Sequence, residues 1–217
     1  MKIIITGVTG MVGEGVLLSC LDRDNIDEIC ILSRKHYDIS HPKVKEVIVP
    51  NFVEIQNFKK ELIGYDACFF CAGISSIGMN EADYTKITYD TTIQVAKVLL
   101  EENKNMTFHY VSGRYTDSTE KGKIMWARVK GKTENDLLKL GFKAAYNFRP
   151  GFIKPVEGQR NVQMIIKIFA LFYPYLFPKS SLTLEQVANA MILLVGKNYS
   201  KHILEVTDIQ AIASNKY

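Results

Sequence analysis

The sequence predicts an α/β fold built on a doubly wound parallel sheet, and three observations carry that expectation. Short β-branched or aromatic runs alternate with helix-period stretches through the first 150 residues. Those runs are almost uninterruptedly apolar, as strands buried on both faces are. The first of them ends in a glycine-rich turn that opens a helix. The remaining bulk properties agree. At 217 residues, 47% hydrophobic and 23% charged, the chain has the composition of one ordinary globular domain with elaborations, which excludes disordered and low-complexity architectures. Its formal charge of +4 is mild and no basic run is longer than a few residues, so nucleic acid is not expected as a partner.

Lys2–Thr6, Glu28–Ser33, Val44–Val49, Ala67–Cys71, Thr107–Ser112 and Lys143–Phe148 read as six strands. Between the first two, Val12, Val16, Leu17, Cys20 and Leu21 recur at helical spacing. A long helix is expected over about Glu81–Glu102, with Ile87, Thr91, Val95, Val98 and Leu99 on one side, and another over Lys123–Leu140. Past Pro150 the pattern changes. Gln159–Phe177 is apolar and aromatic, then Thr183 and Gln186 form a capping box for a helix that runs to Gly196. His202–Val206 reads as a last strand, followed by a short helix capped around Thr207 and Asp208.

Of the four cysteines (Cys20, Cys30, Cys68, Cys71), the last two form a C-x-x-C on an apolar strand. Residues an odd number apart on a strand face opposite sides, and no second pair completes a metal site, so both read as small buried hydrophobes in a reducing compartment. The amino terminus lacks the ~7–15-residue apolar core of a secretory signal. The longest uncharged run, Ile168–Pro178, spans about half a bilayer as a helix and is broken by Pro174. A cytoplasmic protein with no transmembrane segment is expected.

Strand Lys2–Thr6 runs into Gly7-Val8-Thr9-Gly10-Met11-Val12-Gly13, a G-x-x-G-x-x-G. In such a loop the first glycine makes the tight turn, the second lets a phosphate approach the backbone, and the third lets helix and strand pack closely. The helix N-terminus beyond it presents free N–H groups to a pyrophosphate. Cofactor contacts are therefore expected from Gly7, Thr9, Gly10, Met11, Val12 and Gly13. The end of the second strand selects the dinucleotide. An acidic residue there would bind a ribose 2′-hydroxyl; Ser33-Arg34-Lys35 stands in its place, and cations with a hydroxyl suit a 2′-phosphate, so NADP(H) is expected over NAD(H).

With these motifs the chain resembles the short-chain dehydrogenases/reductases of the extended or atypical type, in the NAD(P)-dependent epimerase/dehydratase-like group. Thr6-Gly7-x-Thr9-Gly10-x-x-Gly13 is that group's form of the loop. Cys71-Ala72-Gly73 resembles the small-residue end of its fourth strand beside the cofactor, Tyr110-Val111-Ser112 the end of its fifth, and Phe148-Arg149-Pro150-Gly151 its R-P-G stretch near the nicotinamide. Val129-Lys130-Gly131 and the compact second half are similar to the small Tat-interacting-protein-like and NmrA-like branch. The resemblance implies one Rossmann-type domain over 1–217, with 1–150 as the cofactor-binding core and 151–217 as substrate-side or lid elements. It adds Cys71, Ala72, Gly73, Lys130, Pro150 and Gly151 to the cofactor contacts.

In that family a serine holds the substrate carbonyl, a tyrosine passes the proton, and a lysine four residues later lowers the tyrosine pKa and binds the nicotinamide ribose. Ser112 and Lys130 match. Trp126 stands where the tyrosine belongs, and Thr88 where the family has an asparagine. An indole N–H donates a hydrogen bond but is no proton acid near neutral pH. Tyr115 and Tyr89 are substitutes by proximity in sequence; each also reads as a packing or surface residue. The resemblance also puts Cys71 beside the cofactor, without an environment in the sequence that activates it as a nucleophile.

The cluster Ile165, Ile166, Phe169, Leu171, Phe172, Tyr173, Tyr175, Leu176 and Phe177 reads as core, with an apolar substrate pocket, a homodimer face or a membrane-surface contact as alternatives. Two functions follow: an NADP(H)-dependent oxidoreductase or epimerase-like enzyme on a small carbonyl or sugar-derived substrate, or an NADP(H)-holding sensor that lost the reaction. A membrane-surface adaptor using the aromatic tail is a third.

Overall fold

The computed structural model describes residues 1–162, 164, 170, 172, 173, 176, 177 and 180–215. Among them are the strands β1 (Lys2–Thr6), β2 (Glu28–Ser33), β3 (Val44–Ile48), β4 (Ala67–Phe70), β5 (Thr107–Val111), β6 (Ala144–Arg149), β7 (Phe152–Lys154), β8 (Ser181–Thr183) and β9 (Ile203–Glu205). β7 and β8 pair with each other; the other seven form one sheet in the order β3-β2-β1-β4-β5-β6-β9, all parallel. The direction in which strands are added across the sheet reverses between β1 and β4. The crevice outside their carboxyl ends is therefore the natural ligand position of this Rossmann-type fold.

Each face of the sheet is sealed by its own core. On one, α1 (Met11–Leu21), α5 (Leu184–Leu194) and α6 (Val206–Ala213) pack on Ile3, Ile5, Phe69, Tyr146 and Phe148. On the other, α3 (Thr91–Glu102) and a 3-10 segment (Phe52–Leu62) cover Ile4, Cys30, Phe70 and Phe108, with Leu137 of α4 (Met125–Lys139). Cys68 joins the second core while Cys71 packs against the first, as their odd spacing requires. The segment after Pro150 does more than cover an edge. β9 extends the sheet beside β6, and α5, opened by the expected Thr183/Gln186 capping box, fills the groove along α1.

The differences from expectation are local. The long helix is broken into α2 (Glu81–Thr85), a π-helical turn (Lys86–Asp90) and α3. There the hydroxyls of Thr91 and Thr92 donate to the carbonyls of Lys86 and Thr88 and compete with the helical ladder. The 3-10 segment escapes periodicity reading. So do β7 and β8, which are only three residues each. Val206 opens α6 instead of ending β9, because Glu205 caps that helix with Asp208. Of the aromatic stretch, Ile165, Ile166, Phe169, Leu171 and Tyr175 lie outside the described residues; Phe172, Leu176 and Phe177 are exposed, and the Tyr173 ring lies 4.8 Å from Phe152 and 4.9 Å from Phe177.

His109 is fully buried on β5 among Phe69, Tyr146 and Phe148, with neither ring nitrogen partnered among the described residues. Burial lowers its pKa to about 3. The unfolded chain therefore takes up that proton first, near pH 6.5, and stability falls as the pH drops from there toward 3, at about 1.4 kcal/mol per pH unit. Phenylalanine keeps a flat aromatic ring, one atom larger, without the unpaired nitrogens. His109→Phe is expected to gain on the order of 1–3 kcal/mol and to flatten this acid limb. Urea melts at pH 7 and pH 5 decide it: parallel losses in both proteins would contradict the assignment.

Candidate functional site

The glycine loop is built by backbone contacts. Gly7 sits at φ +73°, and a Cβ there would lie 2.6–2.7 Å from the backbone of Cys71 and Ala72. The Thr6 hydroxyl accepts from the N–H groups of Cys71 and Ala72 at 3.1 Å each, so the ends of β1 and β4 are tied together. Gly13 has no room either: its Cβ would meet the Gly7 carbonyl at 2.3 Å. Gly10 differs. Its φ of −112° and ψ of 163° are ordinary extended values, and its nearest neighbour would be the Gly7 oxygen at 3.5 Å. Neither backbone strain nor packing inside the protein demands glycine there. Gly10 and Thr9 are exposed, Met11 and Val12 half-buried, and the N-cap of α1 is Gly10, which has no side chain to cap the helix.

At the end of β2, Ser33 is buried and its hydroxyl donates to the Lys35 carbonyl at 2.5 Å, while Arg34 and Lys35 reach solvent. Glu46 holds the following residues, accepting from Tyr37 N–H at 2.8 Å and pairing with His36 at 2.6 Å. A further acid, Glu14, escaped the sequence reading. Fully buried on the first turns of α1, it accepts from the Tyr37 hydroxyl and from the backbone N–H groups of Arg160 and Asn161. Gln159 donates to Met11 O at 2.7 Å. The segment after β7 is thus pinned across the loop-bearing helix; a lone acid inside the apolar stretch Gly13–Leu17 was the available signal.

Ser112, just past β5, and Lys130 of α4 are brought together: the Lys130 ammonium donates to the Ser112 carbonyl. Burial lowers the Lys130 pKa to about 8, opposed by the charge of Glu134 one turn on. The Ser112 hydroxyl is held by Glu134, with the Phe148 carbonyl at 3.1 Å as a second neighbour. Glu134 is fully buried and forked by Arg149, whose Nε lies 3.0 and 3.2 Å from its two oxygens; Arg149 also reaches Ser118 and Glu205. Trp126, Lys130 and Glu134 follow one another at i, i+4, i+8 on α4. The spacing from Lys130 to Glu134 could have revealed this cluster.

The remaining expected residues are more scattered. Cys71 is half-buried, and burial first, then Cys20, raises its thiol pKa, so it is no thiolate. Ala72 is half-buried and Gly73 exposed beside the loop. Pro150 is buried, and its carbonyl accepts from Arg114 N–H at 3.0 Å. Gly151 has a structural reason of its own, since a Cβ there would meet the Ser180 carbonyl at 2.4 Å. Tyr115 points into solvent at φ +70°, its ring under the Arg114 guanidinium. Tyr89 is tied elsewhere: its hydroxyl donates to Asp136 at 2.8 Å, and Lys132 covers its ring. Lys132 and Asp136 lie two residues off the Lys130–Glu134 column, on a different side of α4. Burial and Asp136 raise the Tyr89 pKa.

Comparison with known proteins adds the lineage. The model of the NAD-dependent epimerase/dehydratase family matches residues 3–122. Among curated relatives, "Protein FMP52, mitochondrial" of Debaryomyces hansenii is 25% identical over 209 residues, covering 91% of this chain and 88% of that protein. Its namesake in Meyerozyma guilliermondii is 25% identical and covers 100% and 94%. Among solved structures, the ADP-L-glycero-D-manno-heptose-6-epimerase of Helicobacter pylori superposes with a TM-score of 0.70 at 13% identity, covering 99% of this chain and 80% of that one. WbmF of Bordetella bronchiseptica, solved with NAD+, gives 0.67 at 13%, covering 99% and 77%. At that identity the likeness is one of fold. The expectation of a cytoplasmic protein is corrected by the curated relatives, which carry mitochondrial names; a reading based on a missing secretory signal had no means to anticipate them.

Proposed function

The chain belongs to the NAD-dependent epimerase/dehydratase family, and from that membership we propose that it binds NADP(H) in preference to NAD(H) and acts as an oxidoreductase or epimerase-like enzyme on a small carbonyl or sugar-derived substrate. Gly10 carries the reading. A glycine that the protein's own packing does not require, itself the N-cap of a helix beside the switch point of the sheet, leaves room that a pyrophosphate fits. In this reading Gly7, Thr9, Gly10, Met11, Val12 and Gly13 hold the pyrophosphate, with Cys71, Ala72 and Gly73 alongside. Ser33, Arg34 and Lys35 take the 2′-phosphate. Lys130 binds the nicotinamide ribose next to Ser112, with Pro150 and Gly151 nearby. Residues 1–150 form the cofactor-binding core and 151–217 the substrate side. When bound, the dinucleotide supplies or takes up a hydride at its nicotinamide ring.

Trp126 favours a second reading, a sensor that keeps the cofactor and has lost the reaction, since indole replaces the expected proton acid. Calorimetric titration tests the cofactor assignment common to both. NADPH is expected to bind roughly tenfold or more tightly than NADH, and Arg34→Ala to lose that margin selectively. Equal affinities in wild type would contradict it.

A further inference from the structure

We infer that Glu134, anchored by Arg149, is the positioning residue of the site: it accepts the hydrogen bond of the Ser112 hydroxyl and, one helical turn from Lys130, keeps that ammonium charged as the group that hands a proton to a bound ligand. The geometry carries this in three steps. A serine hydroxyl has one proton and two lone pairs. Its two neighbours, Glu134 and the Phe148 carbonyl, are both acceptors, and the carboxylate is the stronger. Ser112 therefore has no proton left for a ligand oxygen. With indole at position 126, Lys130 is left as the donor, its ammonium already lodged against the Ser112 carbonyl.

Glu134 performs this role because it is itself immobile. Its two oxygens face the Arg149 guanidinium, which Ser118 and Glu205 hold in turn. A planar, bidentate pair fixes direction as well as distance. The charged groups of the cluster are Lys130 and Glu134 on α4, Arg149 on β6 and Glu205 on β9; Tyr110 of β5, buried beneath them, stays protonated. In the step itself the Lys130 N–H bond breaks, its electron pair stays on nitrogen, and the proton joins a ligand oxygen that has become anionic. Water then recharges the amine. The identity of that ligand rests on the cofactor reading above, whereas the coupling between Glu134 and Lys130 does not.

The test is direct titration of Lys130 in cofactor-free protein labelled with carbon-13 lysine, its Cε signal assigned by loss in Lys130→Arg. The wild-type midpoint is expected near pH 8. Removing the charge in Glu134→Gln is expected to lower it by about one pH unit, since burial then acts unopposed, and Glu134→Asp to recover part of that fall. Should the Gln variant fail to fold, the Asp variant alone is read, with a smaller downward shift expected. A wild-type midpoint above about 10, the ordinary lysine value, or a midpoint unmoved in whichever variant folds, overturns the proposal. Because no cofactor is present, failure of this titration leaves the dinucleotide reading standing, and calorimetry judges that one separately.

Discussion

Gly10→Val is expected to abolish NADPH binding, with a loss of roughly 100-fold or more, in a protein that still folds and melts at most a few degrees lower. At φ −112° and ψ 163° the backbone of residue 10 accepts a β-branched side chain without strain. The nearest atom to a new Cβ is the Gly7 oxygen at 3.5 Å, an ordinary contact, so the cost to the fold is limited to that of an apolar N-cap, about 1 kcal/mol. The methyl groups would stand in the space proposed for the pyrophosphate. At about 1.4 kcal/mol per tenfold, displacing the phosphates from the helix N–H groups by a fraction of an ångström suffices for such a loss. Gly7 and Gly13 make poor controls. A Cβ at either falls 2.3–2.7 Å from backbone atoms, and substitution there would damage the sheet and the site together. Calorimetry beside a thermal melt decides the matter; normal binding in folded Gly10→Val would place the phosphates elsewhere.

Trp126→Tyr carries the second large effect. It puts a phenol one helical turn from Lys130, on the face that also holds Glu134. An adjacent ammonium lowers a phenol's pKa, and a positioned general acid is typically worth ~10²–10⁴-fold in rate. A gain of that order in NADPH oxidation over a panel of small aldehydes would reveal a dormant reductase site. Robust wild-type activity that falls in Trp126→Tyr and vanishes in Ser112→Ala would instead mark an enzyme with another proton donor. The inferred proton path through Lys130 supplies that donor; Tyr89 is engaged by Asp136 and Tyr115 is solvent-exposed.

What the sequence disclosed and what it withheld divide along physical lines. The strands and the glycine loop depend on local chemistry: apolar runs, turn residues and the spacing of three glycines. All six early strands appear within a residue or two of their expected ends. Side chains that meet across elements are a different matter. Glu134 and Arg149 are 15 residues apart, and Glu14 and Arg160 are 146 apart. Each carboxylate left a local signal, one an acid among apolar neighbours and the other an acid at helical spacing from Lys130, but neither pattern says what will neutralise it. The π turn arises because Thr91 and Thr92 bond backward to the main chain, a competition that apolar periodicity does not record. The site was legible to the same extent. Ser112 and Lys130 do meet, by way of the serine's carbonyl, while its hydroxyl turns to Glu134, an acid signalled only by its spacing from Lys130.

Where a dinucleotide settles on this protein bears most directly on its proposed function, and a crystal structure grown with NADPH measures that. The pyrophosphate is expected at the N-terminus of α1 over Gly10, the 2′-phosphate against Ser33, Arg34 and Lys35, and the nicotinamide ribose at Lys130. A dinucleotide bound away from the glycine loop, or bound there with its 2′-phosphate untouched by Arg34 and Lys35, would contradict it.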